Sequence, residues 1–350
     1  MDPGIFLDNH PHAKFFISKG ADAMTWSGLL ETSLPKFGQI GAVLAIFFGF
    51  YALAFAAGSR IQGKRQNGWA LALFLVPGIS LAMIGLGIPA FQTFIESFKS
   101  ADSSQWVGFS NYTKAAQDPD LRLAFFNTMS WVIIGPIIVT SLGLALATML
   151  NKMKREALAK SLIFMPMAIS FVGGSLIWKL MYQYQEPGAP QTGLIGQIMQ
   201  SLGIPLQHLL LWSPWNNLFL IAVYVWASVG FAMVILSAAI KNIPQDIEEA
   251  ASLDGASGLR LFRTVTVPMV KTTIIVVLTT SMVGTLKLFD VVRTMTGGNF
   301  KTDVLSNRMF DEHFVYFNNG RGSTLAMFIF FGVLPIIIYN IRSLRAERQH

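Results

Sequence analysis

The sequence has no cysteine among its 350 residues. Disulfide bonds, thiolate metal sites and a cysteine nucleophile are therefore excluded. Histidine is also scarce. All five histidines fall in the tails or in the loops between apolar segments: His10, His12, His208, His313 and His350. Neither a histidine-ligated metal nor a Ser–His pair can be built from them at membrane depth, which disfavours an intramembrane enzyme.

Charged side chains are few as well. They make up 13% of the chain, about half of the ~25% that is usual in soluble domains. Hydrophobic residues make up 53%, more than a soluble domain of this length can cover with polar groups. The net charge of +7 would suit a nucleic-acid partner, but the basic residues are not clustered among aromatic ones. The composition predicts a single polytopic membrane domain.

Long apolar runs give the predicted architecture. A helix needs about 20 apolar residues to cross a hydrocarbon core ~30 Å thick. Because backbone groups in lipid must bond to one another, these runs predict an all-α membrane protein with about seven transmembrane helices. The runs are 37–59, 68–90, 123–150, 158–181, 216–240, 271–292 and 323–341. Kinks are expected at Pro77, Pro136, Pro166 and Pro335.

The distribution of lysine and arginine predicts the orientation of these spans. The alternate loops 60–67, 151–157 and 241–270 and the tail 342–350 are basic, whereas loop 182–215 has no lysine or arginine. Basic loops stay in the cytoplasm. The C-terminus is therefore predicted to be cytoplasmic and the N-terminus external. The positive charge is explained by this topology, so it does not indicate a nucleic-acid partner. The external loops 182–215 and 293–322 are either plain connectors or docking surfaces.

The cytoplasmic loop after the fifth span has the most informative sequence, IPQDIEEAASLDGASGLRLFRTVTVP, at positions 243–268. Glu248 and Glu249 predict the start of a helix, where acidic side chains favour the dipole. Gly255 predicts the end of that helix, since glycine accepts the left-handed conformation needed there. Ser257 is expected to cap a second helix over 258–264. Such a surface hairpin either lies on lipid headgroups or inserts into a groove on a partner protein.

The order of residues in this loop resembles the "EAA" loop of binding-protein-dependent ABC importer permeases. The matching positions are Glu249, Ala250, Ala251, Asp254, Gly255, Ala256, Phe262 and Pro268. Val265 departs from the family, which usually has isoleucine there. Other stretches are similar to the carbohydrate-uptake branch: Asn127-Thr128, Leu162 with Phe164 and Pro166, Phe289-Asp290, and Thr296-Gly297-Gly298. Lys287 and Arg321-Gly322-Ser323 are similar to alpha-glucoside-type permeases.

The resemblance implies a domain plan and a set of partners. Residues 68–345 would form a type I importer membrane domain, with the coupling helix at about 248–264. Ahead of it would come an external tail (1–36) and an extra helix with its loop (37–67), and after it a cytoplasmic tail (346–350). Two ATPase subunits, a second homologous permease and an external binding protein would complete an assembly in the bacterial inner membrane. The permease would bind no cofactor, and the ATPases would use ATP and Mg²⁺.

The sequence agrees that the energy source is another polypeptide. It contains no G-x-x-x-x-G-K-[ST] phosphate loop, and the nearest look-alike, 297–302, has the wrong spacing. An ion-coupled transporter needs paired ionisable residues near mid-bilayer. Here the intramembrane charges are Lys179, Lys287 and Asp290, and the last two are spaced to neutralise each other. A purely structural or receptor subunit would leave the coupling loop without a purpose.

Candidate solute contacts follow from helical spacing and from the resemblance. Tyr224, Ser228 and Phe231 lie at i, i+4 and i+7, hence on one face of the fifth span. Aromatic rings and hydroxyl groups together suit a sugar, although the same face would also suit helix packing. The resemblance adds Thr285 and Lys287 from the next span. A sugar is implied by the resemblance, and glycerol phosphate or a polyamine remains an alternative because their importers share the loop.

Overall fold

The computed structural model describes residues 66–151 and 153–347, together with scattered positions between 38 and 56. The predicted tail 1–36 and part of the predicted first helix, 37–59, lie outside the described residues. The chain divides into two compact units, Met1–Pro89 and Ala90–His350. Within the described part the structure is helical, and its one β-type contact is an isolated bridge between Lys99 and Trp106.

The continuously described part of the first unit, from Gln66 to Pro89, contains the beginning of a candidate membrane span. Helix α1 (Gln66–Ala82) continues through a π-helical turn (Met83–Gly87) into α2 (Ile88–Glu96). Leu75–Glu96 is long and apolar enough to cross a membrane. The unit boundary falls within α2.

The second unit contains the remaining helices. They are α3 (Ser110–Gln117), α4 (Pro119–Leu150), α5 (Glu156–Phe164), α6 (Phe171–Met181), α7 (Leu194–Ser201), α8 (Asn216–Lys241), α9 (Gln245–Leu253), α10 (Gly258–Leu261), α11 (Val267–Met269), α12 (Lys271–Leu286), α13 (Asp290–Met295), α14 (Leu305–Phe310) and α15 (Asn319–Glu347). A 3-10 turn (Met165–Ala168) follows α5, and π-helical turns follow α10 (Phe262–Thr266) and α14 (Asp311–Val315).

Six candidate spans in the described part match the second to seventh predicted segments. Four are single helices: Leu75–Glu96, Pro119–Leu150, Asn216–Lys241 and Asn319–Ser343. The other two are bent pairs, Glu156–Ala168 with Phe171–Met181 at 99° and Gly258–Met269 with Lys271–Leu286 at 72°. The prediction of an all-α membrane protein is confirmed.

A kink was predicted at Pro166, and the fourth span breaks there into two helices that meet at 99°. The helix stops after Phe164 because Pro166 has no N–H to extend it, and the chain passes through a 3-10 turn. Ser170 then caps α6, its Oγ accepting a hydrogen bond from the Gly173 N–H at 3.1 Å. Kinks were also predicted at Pro77, Pro136 and Pro335; α1, α4 and α15 are each assigned as continuous helices through these residues, and the kinks there stay predictions.

The sixth span differs from its prediction. The segment 271–292 was expected to be one helix, but α12 ends at Leu286 and the chain becomes helical again at Asp290. The short helical segment Gly258–Met269 precedes α12 and meets it at 72°. The predicted external loop 293–322 also contains helical structure, α14 and a π-helical turn.

The core is built where α4 crosses α8. A Cβ at Gly143 would stand 2.7 Å from the Cβ of Ala232, so the two helices meet closely because glycine has no side chain. Met233 and Leu236 are fully buried next to this contact on α8, and Trp131 is fully buried about three turns earlier on α4. The Trp131 Nε1–H donates to Asn217 Oδ1 at 3.2 Å. The α4–α8 pair is therefore the framework on which the broken spans rest.

An ion pair joins the starts of α4 and α15 at the predicted external end. Arg321 Nη2 lies 2.8 Å from Asp118 Oδ2. Burial raises the pKa of Asp118, but the hydrogen bonds from Arg321 and from the start of α4 outweigh it, and the pKa is lowered below its usual value. The ion pair stabilises the fold above that pKa, and this stabilisation is lost as the external pH falls through it.

Candidate functional site

The loop that carries the sequence motif folds as a helical hairpin. Its first helix, α9, begins at Gln245 directly after Pro244, three residues earlier than the sequence predicted. Asp246 and Glu248 stand in its first turn, where their charge favours the helix dipole. Glu249 lies one turn after Gln245, and its Oε1 accepts a hydrogen bond from Gln245 Nε2 at 2.7 Å.

The turn after α9 depends on a glycine. Gly255 has φ +79°, the left-handed conformation that the sequence predicted. Its N–H donates to Ser252 O at 3.0 Å, and the Ala256 N–H donates to Ala251 O at 2.9 Å. These bonds satisfy the last carbonyls of the helix. The prediction that Asp254-Gly255 ends the first helix is confirmed.

The second half of the hairpin attaches the loop to the membrane bundle. Ser257 precedes α10, but its hydroxyl makes no capping bond, contrary to the prediction. A π-helical turn replaces the later part of the helix predicted over 258–264, and α11, which contains Pro268, follows it. Ala256 and Val265 are buried, and Phe262 packs against the main core.

The first half of the hairpin is open to the surroundings. Glu249 and Ala250 are exposed, and Ala251 is half-buried. Leu253 is 89% exposed and Leu259 63% exposed. The hairpin therefore presents small, apolar and acidic groups outward and buries only its attachment side. Such a surface suits insertion into a groove on another protein.

A hollow separates the hairpin from the bundle. It has a volume of about 380 Å³. Lys241 and Asn151 line it from the bundle side, and Glu248, Leu261 and Phe262 line it from the hairpin. The hairpin thus contacts the bundle through Phe262 and Val265, and the hollow lies beside these contacts.

A second cavity, of about 230 Å³, lies among the spans. Tyr224, Ser228 and Phe231 line it together, as their helical spacing predicted. The broken fourth span and α12 supply the other walls: Met167, Ile169, Phe171, Thr280, Ser281, Gly284 and Leu288, with Ala227 from α8. The cavity combines aromatic rings with hydroxyl groups.

Tyr224 is a closely packed residue in the wall of this cavity. It is 4% exposed, and its ring stacks on Phe171 with centroids 6.3 Å apart. Its hydroxyl donates to Ser281 O at 3.3 Å. A Cβ at Gly135 would stand 3.2 Å from the same ring. Tyr224 therefore combines a packing role with its place at the cavity.

Thr285 and Lys287 lie elsewhere. Thr285 is buried, and its hydroxyl donates to Ser281 O at 3.1 Å and to Met282 O at 2.9 Å within α12. Lys287 follows the end of α12 and lines a different cleft of about 420 Å³ with Phe289. Among the ion pairs of the described residues there is none between Lys287 and Asp290, because the helix breaks between them.

Some cavity residues were missed by sequence reasoning. Met167, Ile169 and Phe171 reach the cavity because the fourth span breaks at the 3-10 turn. Pro166 followed by Ser170 was the available signal, since a proline and a new helix cap within five residues mark a break. Thr280 and Ser281 belong to a run of three hydroxyl residues, 279–281, on α12.

The phosphate-loop look-alike is a structural turn. Phe300 and Lys301 have φ +57° and +62°. Asn127 Nδ2 donates to Lys301 O at 2.9 Å, and Asn216 Nδ2 donates to Phe300 O at 2.8 Å. Asparagines from α4 and α8 therefore hold this turn through its carbonyls.

The comparisons with known proteins agree with this architecture. Residues 123–348 match the family described as "Binding-protein-dependent transport system inner membrane component". An osmoprotective compounds uptake permease protein, GgtC, from Synechocystis sp. is 43% identical over 277 residues, covering 79% of this chain and 99% of the relative. An alpha-glucoside transport system permease protein, AglF, from Rhizobium meliloti is 41% identical over 276 residues, covering 79% and 82%.

A solved structure shares the fold. It is a bacterial alginate ABC transporter in complex with an alginate pentasaccharide-bound periplasmic protein, with a TM-score of 0.67 and 20% identity. The match covers 79% of this chain and 94% of that one. The resemblance inferred from the loop is confirmed: this chain belongs to the family of binding-protein-dependent transport system inner membrane components.

Proposed function

We propose that this chain is the membrane-spanning permease subunit of an ATP-driven ABC importer for an oligosaccharide of the alpha-glucoside type. An external binding protein delivers the solute, and two ATPase subunits use ATP and Mg²⁺ to drive its passage. A second, homologous permease completes the pathway. The alpha-glucoside transport system permease protein AglF, 41% identical to this chain, supports a sugar substrate.

The residues that line the membrane cavity favour a neutral sugar as the substrate. None of its described residues is a carboxylate, an amine or a guanidinium. A phosphate ester would need a cationic partner there and a polyamine an anionic one, because a charge buried without a partner is costly. A neutral sugar needs only hydrogen bonds and apolar faces, which Ser228, Thr280 and Phe231 offer. The same lining disfavours an ion-coupled mechanism.

The exposed face of the hairpin supports the ATPase partners. Each ATPase would hold one hairpin in a surface groove, with Glu249, Ala250 and Ala251 at the contact. Closure of the ATPase pair on ATP would draw the hairpins of the two permeases together. The spans would then turn the cavity from the cytoplasmic side to the external side, where the binding protein releases its sugar.

Uptake measurements test this function. Cells with the chain should accumulate a labelled alpha-linked disaccharide only when the binding protein is present, and cells lacking the chain should not. Depleting ATP should abolish uptake, whereas an uncoupler that leaves ATP intact should not. Uptake that survives ATP depletion but collapses with the uncoupler would contradict the proposal and favour ion coupling.

The proposed orientation has its own test. A reporter that is active only outside the cytoplasm should be active when fused after Ser201 and silent when fused after Lys154. The expectation rests on the absence of lysine and arginine from 182–215, against four in 152–160. The reverse pattern would place the hairpin outside the cell, where no ATPase could reach it.

A further inference from the structure

A polar cluster joins three helices beside the hairpin. The Lys160 ammonium lies 2.5 Å from Glu156 Oε1 and 2.7 Å from Asn151 Oδ1, and it also contacts the Ser237 hydroxyl. Ser237 Oγ donates to Asn151 Oδ1 at 2.5 Å. Lys241 Nζ lies 2.6 Å from Glu156 Oε1. The cluster therefore connects the end of α4, the start of α5 and the end of α8.

Lys160 is the best shielded charge of this cluster. Its side chain is 16% exposed, against 53% for Lys241. Ser237 is 2% exposed. An ammonium held by three partners in a half-buried site fixes the positions of the elements that supply them, because losing a partner there is costly. Lys241 pairs with the same carboxylate from a more exposed position.

The cluster lies between the hairpin and the wall of the membrane cavity. Lys241 is the last residue of α8, and α9 starts at Gln245. Lys160 is on α5, which leads through the 3-10 turn to Met167 and Phe171 in the cavity wall. The hollow beside the hairpin shares Asn151 and Lys241 with the cluster. The hairpin is connected to the cavity wall by two routes: one passes through this cluster and α5, and the other follows the chain through α11 into α12.

A second contact holds the far end of α5 against α8. A Cβ at Gly230 would stand 2.6 Å from Ile163 O and 2.7 Å from Phe164 Cα. The backbones therefore touch at that point. With this contact at one end and the Lys160 cluster at the other, α5 is fixed to α8 along its whole length.

We propose that Lys160 is a positioning residue for energy coupling. Its ammonium fixes α5 to α4 and α8, so that displacement of the hairpin carries α5 and the cavity wall with it. Without Lys160, ATP would still be hydrolysed and the hairpin would still move, but less of that movement would reach the cavity. This inference rests on the proposed function.

The test is Lys160→Met in the complete importer, reconstituted in liposomes with its ATPases and binding protein. We expect assembly and ATP hydrolysis to persist and sugar transported per ATP to fall on the order of tenfold, within the usual range of coupling between sites. The variant leaves Glu156 paired with Lys241. Lys241→Met should cause a smaller loss, and Lys154→Met, which changes an exposed lysine nearby, should cause none.

A distance measurement separates coupling from folding. The chain has no cysteine, so Leu158→Cys in α5 and Asn242→Cys after α8 are its only labelling sites, and this chain is spin-labelled before it is assembled with its partners. With Lys160 present, the distance distribution should be narrow both without nucleotide and with ATP trapped. Lys160→Met should broaden it in at least one state.

Two results would overturn the inference: an unchanged transport-to-ATP ratio, or a loss of transport that only follows a loss of assembled complex. The parent importer serves as the separate test of the proposed function. If its ATP hydrolysis is not stimulated by sugar-loaded binding protein, the proposed function fails. If it is stimulated and Lys160→Met behaves identically, only the role of Lys160 fails.

Discussion

Replacing Gly255 with proline is expected to abolish ATP-driven transport while leaving the chain inserted in the membrane. Proline fixes φ near −65°, whereas this position has φ +79°. Proline also removes the N–H that donates to Ser252 O at 3.0 Å. The turn between α9 and α10 cannot form. The exposed face of the hairpin is then no longer held in a fixed position by the buried contacts of Phe262 and Val265. Insertion should persist because the turn lies outside the apolar part of the spans.

Gly255→Ala provides the matched control. A Cβ at this position would meet nothing within 4 Å, so alanine adds only the strain of a left-handed conformation, about 1–2 kcal/mol. We expect reduced but measurable coupling for alanine and none for proline. The measurement is ATP hydrolysis by the reconstituted complex with and without loaded binding protein, together with retention of the ATPases. Stimulated hydrolysis at the parent level in Gly255→Pro would contradict the coupling role of the hairpin.

Charge reversal at Glu249 should weaken the same contact. The carboxylate is exposed and bonded to Gln245 Nε2, so its loss leaves the fold of the hairpin intact. Since Glu249 lies beyond the first turn of α9, its effect should come from the partner's surface and not from the helix dipole. If it meets a basic group in a partly dry groove, Glu249→Lys should cost on the order of 1–3 kcal/mol of binding. Titration of the ATPase onto the membrane subunits measures it.

The sequence predicted those features that depend on local pattern. Apolar length predicted six spans that the structure describes, and the 3.6-residue period placed Tyr224, Ser228 and Phe231 at one cavity. The ability of glycine to adopt a left-handed conformation predicted the turn at Gly255. Each of these follows from one segment of the chain and the medium around it, so no knowledge of distant contacts was needed.

The features that the sequence did not predict depend on contacts between segments. A proline inside an apolar run is compatible with a continuous helix, as at Pro136, or with a break, as at Pro166. The neighbouring helices decide between the two, since they must satisfy or shield the freed backbone groups. The Lys160 cluster joins residues 77 and 9 positions apart in sequence, and no periodicity reveals such a site. Thr285 was expected at the cavity, but the rotation of α12 turns it toward α4.

Filling the membrane cavity is expected to stop transport without stopping ATP hydrolysis. Ser228 lines a cavity of about 230 Å³, and a phenylalanine at that position would occupy much of the space available to the sugar. A mismatch of a single methylene in a binding pocket already changes rates about 10–200-fold, so Ser228→Phe should reduce sugar transport at least tenfold. Stimulation by loaded binding protein should persist, because the external signal and the hairpin are unchanged.

Two further variants separate solute contact from packing. Phe231→Ala removes a half-buried ring that lines the cavity, and Tyr224→Phe removes only the hydroxyl that bonds to Ser281 O. Tyr224→Ala is less informative: losing a buried aromatic ring costs about 3–5 kcal/mol of stability, so transport would fall whether or not the ring touches sugar. We expect Phe231→Ala to raise the sugar concentration needed for half-maximal uptake more than Tyr224→Phe does.

Val234→Phe is the control for added volume on α8. Val234 is on the same helix, is 40% exposed and does not line the cavity, so the larger ring should be accommodated outside it. Transport in Val234→Phe should match the parent, and the amount of assembled complex should be equal in both variants. Parent-level transport in Ser228→Phe would show that the sugar takes another route through the bundle. Equal losses in Ser228→Phe and Val234→Phe would instead show that added bulk on α8 stops transport wherever it is placed, which would favour helix packing over solute contact at Ser228.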